Sequence, residues 1–281
     1  MSKHCQQIAA IHDLSGYGRA SLTVVIPILS AMGIQVCPLP TAVLSTHTEY
    51  KNFYSIDLTA HMPAIINHWK ELDLQFDAIY SGYLASPEQI DIVRNFIIDF
   101  RKEKQFVIVD PVMGDNGELY PGISNELVEN MRLLIKEADI ITPNITEAAF
   151  LSGMSISSKS SINEIKKCAR TLADKGPNTV IITSTPCNNL GETSVLSYEK
   201  DRDYFQVITN EYINASYPGT GDAFTSVVTG SLLNGDGIKQ SINNASKFIV
   251  EGIKATMKRD HDPLNGMNQE EVLPLLRDIY N

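Results

Sequence analysis

The feature that most constrains the fold of this chain is the alternation of short strand-like runs with longer helical patterns. Short apolar runs predict strands at 8–11, 35–39, 78–81, 106–109, 139–142 and 179–183, and the run 106–109 is rich in β-branched and aromatic residues. Apolar residues recur at helical spacing between them, which predicts helices at 21–32, 61–72, 87–104, 126–138 and 161–175. This order is typical of βαβ units. It predicts an α/β fold whose central, mostly parallel sheet has helices on both faces.

The last third of the chain departs from this order. The runs 193–197 and 204–209 flank a polar turn and predict an antiparallel hairpin. Two more helices are expected after Asp222, separated near 234–237, and a last one after Asn268. The sequence has no repeat and no linker long enough to separate domains, so residues 1–281 are expected to form one domain.

Composition excludes several classes of protein. Of the 281 residues, 43% are hydrophobic and 20% are charged, which is ordinary for a globular protein with a full core. A net charge of −10 argues against binding to nucleic acid or to an anionic membrane surface. No apolar run approaches the roughly 18 residues of a membrane span, and the N-terminus does not read as a signal peptide. The four scattered cysteines predict free thiols in a reducing compartment, hence a cytoplasmic protein.

Polar and glycine-rich segments follow six of the predicted strands. In open α/β sheets, ligands bind beyond the carboxyl ends of the strands. The segments in this position are 12–18, 45–49, 81–83, 110–115, 142–147 and 183–184. Turn chemistry accounts for any one of them. Six together, with the loop at Gly219, predict a functional site along one edge of the sheet.

The most informative loop is Gly219-Thr220-Gly221-Asp222, which opens an apolar run of helical character. Glycine lets the backbone approach a ligand closely, and the N–H groups of a helix N-terminus favour a phosphate. Because a carboxylate repels an anion, Asp222 is interpreted here as a base that takes a proton from a hydroxyl group. The alternative is an ordinary N-terminal cap, where Asp and Gly are common. These four residues alone leave both interpretations open.

Hard oxygen ligands occur on two neighbouring loops, as Asp110, Asp115, Asn144 and Glu147. Mg²⁺ prefers one or two carboxylates together with waters and substrate phosphates. Asn144 and Glu147 are three residues apart, so they also fit a capping pair at the start of a helix. Capping and metal roles both stay open for Asn144, whereas a role in holding metal-bound water is favoured for Glu147.

Other nucleotide and metal motifs are missing from the sequence. The segment Gly16-x-Gly18-x-x-Ser21 lacks the third glycine and the later acid of a dinucleotide-binding fingerprint. There is no P-loop motif and no protein-kinase signature. No spacing of histidines and cysteines predicts a structural zinc site.

Five motifs, in order along the chain, carry a resemblance to a known family. They are His47-Thr-Glu-Tyr50, Ser81-Gly-Tyr-Leu84, Asp110-Pro-Val-Met-Gly-Asp115, Asn144-x-x-Glu147 and Gly219-Thr-Gly-Asp222. Over almost its whole length the chain resembles the ribokinase superfamily of small-molecule kinases, and within it the pyridoxal/pyridoxamine kinases. The resemblance implies a ribokinase-like three-layer αβα fold, a homodimer, and ATP-dependent phosphorylation of the 5′-hydroxymethyl group of a vitamin B6 compound.

The same resemblance implies roles for individual residues. Asp222 would be the general base, and the amides of Gly219, Thr220 and Gly221 would stabilise charge on the γ-phosphoryl group. The residues expected to arrange Mg²⁺ and its waters are Asp110, Asp115 and Glu147. Those expected to contact ATP are Asp110, Thr142, Asn144, Glu147, Thr183 and Ser184. Those expected near the pyridine ring are His47, Thr48, Glu49 and Tyr83. The family also often uses a monovalent cation such as K⁺.

The first loop departs from the family pattern. Pyridoxal kinases commonly have a serine there that hydrogen-bonds the pyridine ring, and Asp13 aligns with it. A carboxylate in this place pairs with a protonated ring nitrogen or accepts from the amine of pyridoxamine. Asp13 is therefore expected to contact the substrate and to favour pyridoxamine or pyridoxine over pyridoxal.

Two other functions fit parts of the sequence. A hydroxymethylpyrimidine kinase of thiamine synthesis shares the fold and the catalytic loop. Those enzymes typically have Asp-Ser-Ser-Gly-Gly-Ala-Gly where this chain has Leu14-Ser-Gly-Tyr-Gly-Arg-Ala20. A non-catalytic binder of pyridoxal phosphate or nucleotide belongs to a different class. Such a protein would not need Asp222, which is present beside an intact glycine loop.

Overall fold

The computed structural model describes residues 5–187, 189, 191–259 and 262–280. It has the predicted three-layer α/β fold, with a large, mostly parallel central sheet flanked by helices. The chain divides into two compact units. Unit one is Met1–Tyr80 with Ile213–Asn281, and unit two is Ser81–Tyr212. One domain over residues 1–281 stays a prediction.

The elements alternate along the chain as expected. The strands of the described residues are β1 (Gln7–Ser15), β2 (Gln35–Leu44), β3 (Ser55–Asp57), β4 (Ala78–Ser81), β5 (Phe106–Val109), β6 (Gly114–Asp115), β7 (Glu118–Leu119), β8 (Ile140–Ile141), β9 (Thr179–Thr185), β10 (Glu192–Glu199) and β11 (Tyr204–Glu211). The helices are α1 (Leu22–Ala31), α2 (Met62–Glu71), α3 (Pro87–Phe100), α4 (Asn125–Leu134), α5 (Ile145–Ser152), α6 (Ile162–Ala173), α7 (Thr220–Leu233), α8 (Ile238–Met257) and α9 (Leu273–Tyr280). None of these described helices is both long enough and apolar enough to cross a bilayer.

The strands of unit one follow the order β4-β1-β2-β3, and β1 pairs with β2 in parallel. Residues 8–11 are fully buried, as expected for a strand covered on both faces. The register of β1 against β2 shifts between His12 and Leu14. Such an irregularity changes the direction of nearby side chains. It lies at the carboxyl end of β1, where the sequence predicts functional residues.

Helix α7, also in unit one, is a core helix rather than an amphipathic surface helix. Every residue from Ala223 to Leu233 is buried, which is the pattern of a helix enclosed by protein. It packs against α1 and α8. Because the rest of α7 is held in the core, the position of its first turn is well defined.

The strands of unit two follow the order β11-β10-β9-β8-β5. β8 is parallel to both β5 and β9. The segments that follow these three strands therefore lie at one edge, as predicted for this part of the sheet. β10 is antiparallel to β9 and to β11, so the predicted hairpin is confirmed.

Predicted and observed elements differ mainly at their ends. β4 and β5 match the predicted ranges. α3 ends at Phe100 instead of continuing to 104, because Arg101 adopts an extended conformation. α4 ends at Leu134 and continues as the 3₁₀ turn Ile135–Glu137. β3, β6 and β7 were not predicted, since runs of two or three residues are too short to show a period.

Candidate active site

The N-terminus of α7 in unit one has the backbone conformation that the glycine loop predicts. Gly219 occupies the N-cap position with φ +79°, a conformation that favours glycine. A Cβ atom on Gly219 would lie 2.3 Å from the carbonyl oxygen of Arg19. As the N-cap residue, Gly219 offers no side chain to cap this helix. The N–H groups of its first turn, which includes Thr220 and Gly221, have no partner within the helix, and such a turn favours an anion.

Asp222 lies in this first turn and does not cap its own helix. Its Oδ2 accepts a hydrogen bond of 2.8 Å from the backbone N–H of Ser21, which is 201 residues away in sequence. Burial raises the pKa of Asp222 to about 7, the Ser21 amide lowers it, and the charge of Asp13 raises it. About 14% of the side chain is exposed. A partly accessible carboxyl group that titrates near neutrality has the properties of a general base.

His12 lies next to Asp222, with its Nδ1 at 3.9 Å from Oδ1 of the carboxylate. The imidazole is completely buried and meets the ring of Tyr80 edge-on at 4.4 Å between centroids. Burial lowers the pKa of His12 to about 3, so the ring is neutral at physiological pH. Neither ring nitrogen has a hydrogen-bond partner among the described residues. The sequence placed His12 on the functional edge but did not indicate its contact with Asp222.

Asp13 is buried and is held by two serine hydroxyls. Ser21 Oγ donates to Asp13 Oδ1 at 2.5 Å, and Ser15 Oγ donates to Asp13 Oδ2 at 3.1 Å. Burial raises the pKa of Asp13, and the two serine hydrogen bonds lower it. Ser21 has φ +53° and ψ −130°, which costs a residue with a side chain roughly 1–3 kcal/mol. Neither serine was recognised as a site residue from the sequence, and the contact of Ser21 depends on tertiary structure.

The segment that carries His47 is tied to residues 264–265 of the same unit. His47 Nε2 lies 2.6 Å from the carbonyl oxygen of Leu264, and Tyr50 Oη donates to Oδ1 of Asn265 at 2.9 Å. His47 is buried by this arrangement, whereas Thr48 and Glu49 are exposed. In this segment, Thr48 and Glu49 are therefore the predicted ring-contacting residues that a substrate can reach.

In unit two, Asn144 and Glu147 form the capping box that the sequence left as one of two possibilities. Asn144 Oδ1 accepts from the N–H of Glu147 at 2.9 Å, and Glu147 Oε2 accepts from the N–H of Asn144 at 2.8 Å. Glu147 Oε1 also accepts from the N–H of Met113 at 3.1 Å. Burial and then the charge of Asp110 raise the pKa of Glu147 well above its usual value. Asp110 and Glu147 are therefore close enough to repel each other.

Asp115 does not join this pair in a metal-ligand cluster. The described residues contain no group of three or more His, Cys, Asp or Glu side chains that could hold a metal ion. Asp115 is exposed, and its Oδ1 accepts from the N–H of the adjacent Asn116 at 2.7 Å. Of the three residues predicted to arrange Mg²⁺, Asp110 and Glu147 form a buried pair, and Asp115 is exposed and separate from them.

The predicted nucleotide-contacting residues of unit two lie at the ends of β8 and β9. Thr142 is buried, and its N–H donates to the carbonyl oxygen of Val109 at 3.2 Å. Asn144 and Thr183 form an isolated parallel bridge, so the structure brings these two together. Ser184 is exposed, with φ +54°. Tyr83, predicted to lie against the substrate ring, is half-buried just after β4.

Comparison with known proteins agrees with this geometry. The family model described as phosphomethylpyrimidine kinase matches residues 20–265. The chain belongs to that family. It is therefore a kinase, and its relatives confirm the resemblance to the vitamin B6 kinases of the ribokinase superfamily.

Three relatives show the range of the family. The chain is 28% identical to a pyridoxine/pyridoxal/pyridoxamine kinase of Bordetella avium (strain 197N), over 90% of this chain and 86% of that protein. It is 32% identical to a hydroxymethylpyrimidine/phosphomethylpyrimidine kinase of Bacillus subtilis (strain 168), over 69% and 70%. A solved structure from Bacteroides thetaiotaomicron VPI-5482, of a candidate phosphomethylpyrimidine kinase with pyridoxal, is 52% identical. Its TM-score is 0.93, and the match covers 97% of this chain and 96% of that one.

Proposed function

We propose that this kinase transfers the γ-phosphoryl group of ATP to the 5′-hydroxymethyl group of a vitamin B6 vitamer, giving the 5′-phosphate and ADP. The observation that carries the proposal is the position of Asp222. A carboxyl group with a pKa of about 7 lies in the first turn of a buried helix, next to a glycine that the backbone requires. The pyridoxal in the related Bacteroides thetaiotaomicron structure supports a B6 vitamer as substrate.

In this reaction Asp222 accepts the proton of the substrate hydroxyl group. The hydroxyl oxygen forms a bond to the γ-phosphorus, and the bond from that phosphorus to the bridging oxygen breaks, which releases ADP. The N–H groups in the first turn of α7 stabilise the charge of the transferring group. This division of labour suits phosphoryl transfer, in which positioning and charge stabilisation supply most of the catalysis. The neutral His12 leaves the negative charge of Asp222 uncompensated, so the carboxylate keeps its affinity for a proton.

The nucleotide is assigned to unit two. Thr142 and Asn144 follow β8, and Thr183 and Ser184 lie near the carboxyl end of β9. All four are proposed to contact ATP. Asp110 and Glu147 fit a divalent cation, because a buried pair of mutually repelling carboxylates is stabilised by a positive charge. We propose that Asp110 and Glu147 would hold Mg²⁺ and its waters beside the ATP phosphates. Asp115 would act from farther away, without direct contact with the ion. Bound there, Mg²⁺ would neutralise charge on the phosphates.

We propose that the substrate ring contacts those predicted ring-binding residues that are accessible. Thr48 and Glu49 are exposed, and Tyr83 offers an aromatic face that is half-buried. Contact of Asp13 with the ring nitrogen or amine stays a prediction, as do the homodimer and the monovalent cation.

A second function, phosphorylation of hydroxymethylpyrimidine, has specific support. The matching family model carries the phosphomethylpyrimidine kinase description, and the Bacillus subtilis relative shares 32% identity. Both substrates present a CH₂OH group on a nitrogen-containing aromatic ring, so the same Asp222 chemistry serves either of them.

One assay separates these functions. ATP consumption is measured side by side with pyridoxal, pyridoxamine, pyridoxine and hydroxymethylpyrimidine. We expect turnover with at least one B6 vitamer and a lower kcat/KM with the pyrimidine. Absence of turnover with all three vitamers would overturn the proposal. Turnover with none of the four compounds, together with nucleotide binding, would identify a non-catalytic binder.

A further inference from the structure

Ser21 combines a rare backbone conformation with a hydroxyl group that is not used for capping. It precedes helix α1 in the N-cap position, where serine usually bonds to the helix backbone. Its side chain makes no such bond. With φ +53° and ψ −130°, the residue lies in a region that glycine tolerates and other residues avoid. Strained conformations of this kind persist only where surrounding contacts determine them.

The contact that holds Ser21 is its hydrogen bond to Asp13. The hydroxyl group donates to Asp13 Oδ1 at 2.5 Å, and a charge-assisted bond of this length is strong. Asp13 lies where the register of β1 shifts, and only 4% of it is exposed. Ser15 holds its other oxygen at 3.1 Å. A backbone bridge between Leu14 and Ser21 further joins the two segments.

The consequence of this conformation is the direction of the Ser21 N–H group. It points to Oδ2 of Asp222 at a distance of 2.8 Å. The side chain of Ser21 therefore contacts one carboxylate, and its backbone contacts another. Ser21 thus joins Asp13 to Asp222 through two hydrogen bonds.

We propose that Asp13 and Ser21 are a positioning pair, in which the Asp13 carboxylate fixes the Ser21 backbone so that its N–H group orients Asp222 for proton transfer. The inference rests on the proposed function, in which Asp222 is the base. It assigns Asp13 a role in turnover that does not require contact with the substrate.

The decisive comparison is Ser21→Ala against Ser21→Gly. Both changes remove the same hydroxyl group, but only glycine adopts φ +53° without strain. We expect Ser21→Ala to lower kcat by about 10- to 100-fold, as a misplaced catalytic group does, with a smaller change in KM. Ser21→Gly is expected to recover most of that loss. Equal losses in the two variants would assign the hydroxyl group to substrate contact, and wild-type kcat in Ser21→Ala would also overturn the proposal.

The second comparison is Asp13→Ala against Asp13→Asn. Asparagine retains an oxygen that can accept from Ser21, whereas alanine does not. We expect Asp13→Ala to lower kcat for pyridoxal, pyridoxamine and pyridoxine alike, and Asp13→Asn to lose less. A change in the ranking of the three vitamers by kcat/KM, with kcat retained, would show that Asp13 acts on the substrate instead and would overturn the proposal.

A titration of Asp222 tests the same inference without any turnover. Aspartate labelled with ¹³C at the carboxyl group reports its pKa, and Asp222→Asn identifies the resonance. The titratable groups beside Asp222 are His12, which stays neutral, and Asp13. Alanine at position 21 keeps its backbone N–H group, but without the Asp13 contact that group should move away from Asp222, which should raise the pKa of Asp222. Loss of the negative charge in Asp13→Asn should lower it. An unchanged pKa in Ser21→Ala would overturn the proposal.

These readouts keep the two proposals separate. If the wild-type protein phosphorylates no vitamer, the proposed function fails and the titration still tests the positioning pair. If the wild-type protein is active and Ser21→Ala matches it, only the positioning pair fails. Should Ser21→Ala not fold, as judged by thermal melting, the titration compares Asp13→Ala with Asp13→Asn. Both variants remove the negative charge, but only asparagine can still accept from Ser21, so the pKa of Asp222 should be higher in Asp13→Ala. Equal values in the two variants would overturn the proposal.

Discussion

Two acids, Glu147 and Asp222, occupy the same helix position in the two units and are used in opposite ways. Glu147 is the third residue of α5, and Asp222 is the third residue of α7. Glu147 folds back onto the backbone of its own helix, because the N-cap residue Asn144 completes a capping box. Asp222 has Gly219 at the N-cap, which has no side chain with which to form such a box. Its carboxylate instead reaches Ser21.

This comparison shows that the N-cap residue decides what an acid in the first turn does. An Asn at the N-cap makes the acid part of the helix end. A glycine leaves the acid available for tertiary contacts and lets an anion approach the N–H groups. The pKa of both acids is raised, chiefly by burial, yet only the carboxylate of Asp222 is both partly accessible and next to a glycine cradle.

The largest expected effect is that of Asp222→Asn. The amide cannot accept the substrate proton, so kcat should fall by about 10²- to 10⁴-fold, the usual contribution of general base catalysis. ATP affinity should be retained, because the proposed nucleotide contacts lie in unit two. Thermal stability should also be retained, since the change removes a buried charge. A steady-state assay, nucleotide titration and melting curve measure these quantities, and a kcat near that of the wild type would contradict the assignment.

Gly219→Ala should impair both turnover and folding. The added Cβ would lie 2.3 Å from the Arg19 carbonyl oxygen, in a conformation that alanine avoids. The loop must then move, which displaces the N–H groups of the first turn. Gly237→Ala is the matched control, because Gly237 also precedes a helix, has a negative φ and has open space around its Cβ position. Similar losses of activity in the two variants would argue against a special role for Gly219.

The pH dependence follows from the pKa of Asp222. The value is about 7 in the folded chain and about 4 in an unfolded one. Between these values the folded state binds more protons, so this group lowers the free energy of unfolding as pH rises through the window. Urea unfolding measured from pH 4 to 7 gives the free energy of unfolding at each pH. Asp222→Asn should remove the part of its decrease with pH that Asp222 causes. In the wild type, kcat/KM should rise with pH and level off above about 7, as the carboxylate form accumulates.

Glu147→Gln should have the smallest effect on turnover and a measurable effect on stability. The Glu147 carboxylate accepts from the backbone N–H groups of Asn144, Met113 and Gly114. A glutamine would direct its NH₂ group at one or more of these donors, and a lost bond should cost about 1–3 kcal/mol. Urea unfolding measures the loss. Glu164→Gln is the control, since Glu164 forms a second capping box with Ser161 but is exposed. Because Glu147 is proposed to help hold Mg²⁺, only Glu147→Gln should raise the Mg²⁺ concentration needed for half-maximal activity.

Much of the fold could be predicted because it depends on short-range patterns. The ranges of β4 and β5 follow from short runs of mostly apolar residues, and the α6 capping box is visible as Ser161 and Glu164 three positions apart. The predicted order of elements placed the polar segments at the ends of strands and the glycine loop at the start of a helix. The contacts of Asp13 could not be predicted, because a register shift in β1 and the approach of Ser21 depend on packing.

The sequence by itself determined the alternating α/β architecture, the kinase family and the identity of the acid in the glycine loop. Periodicity and ordered motifs carry this information, since each involves residues close together in the chain. Only the tertiary structure decided what the acids touch. Asp222 meets a residue 201 positions away, and Glu147 turns back to its own helix. Such differences arise from which segments the core brings together, and no local pattern records them.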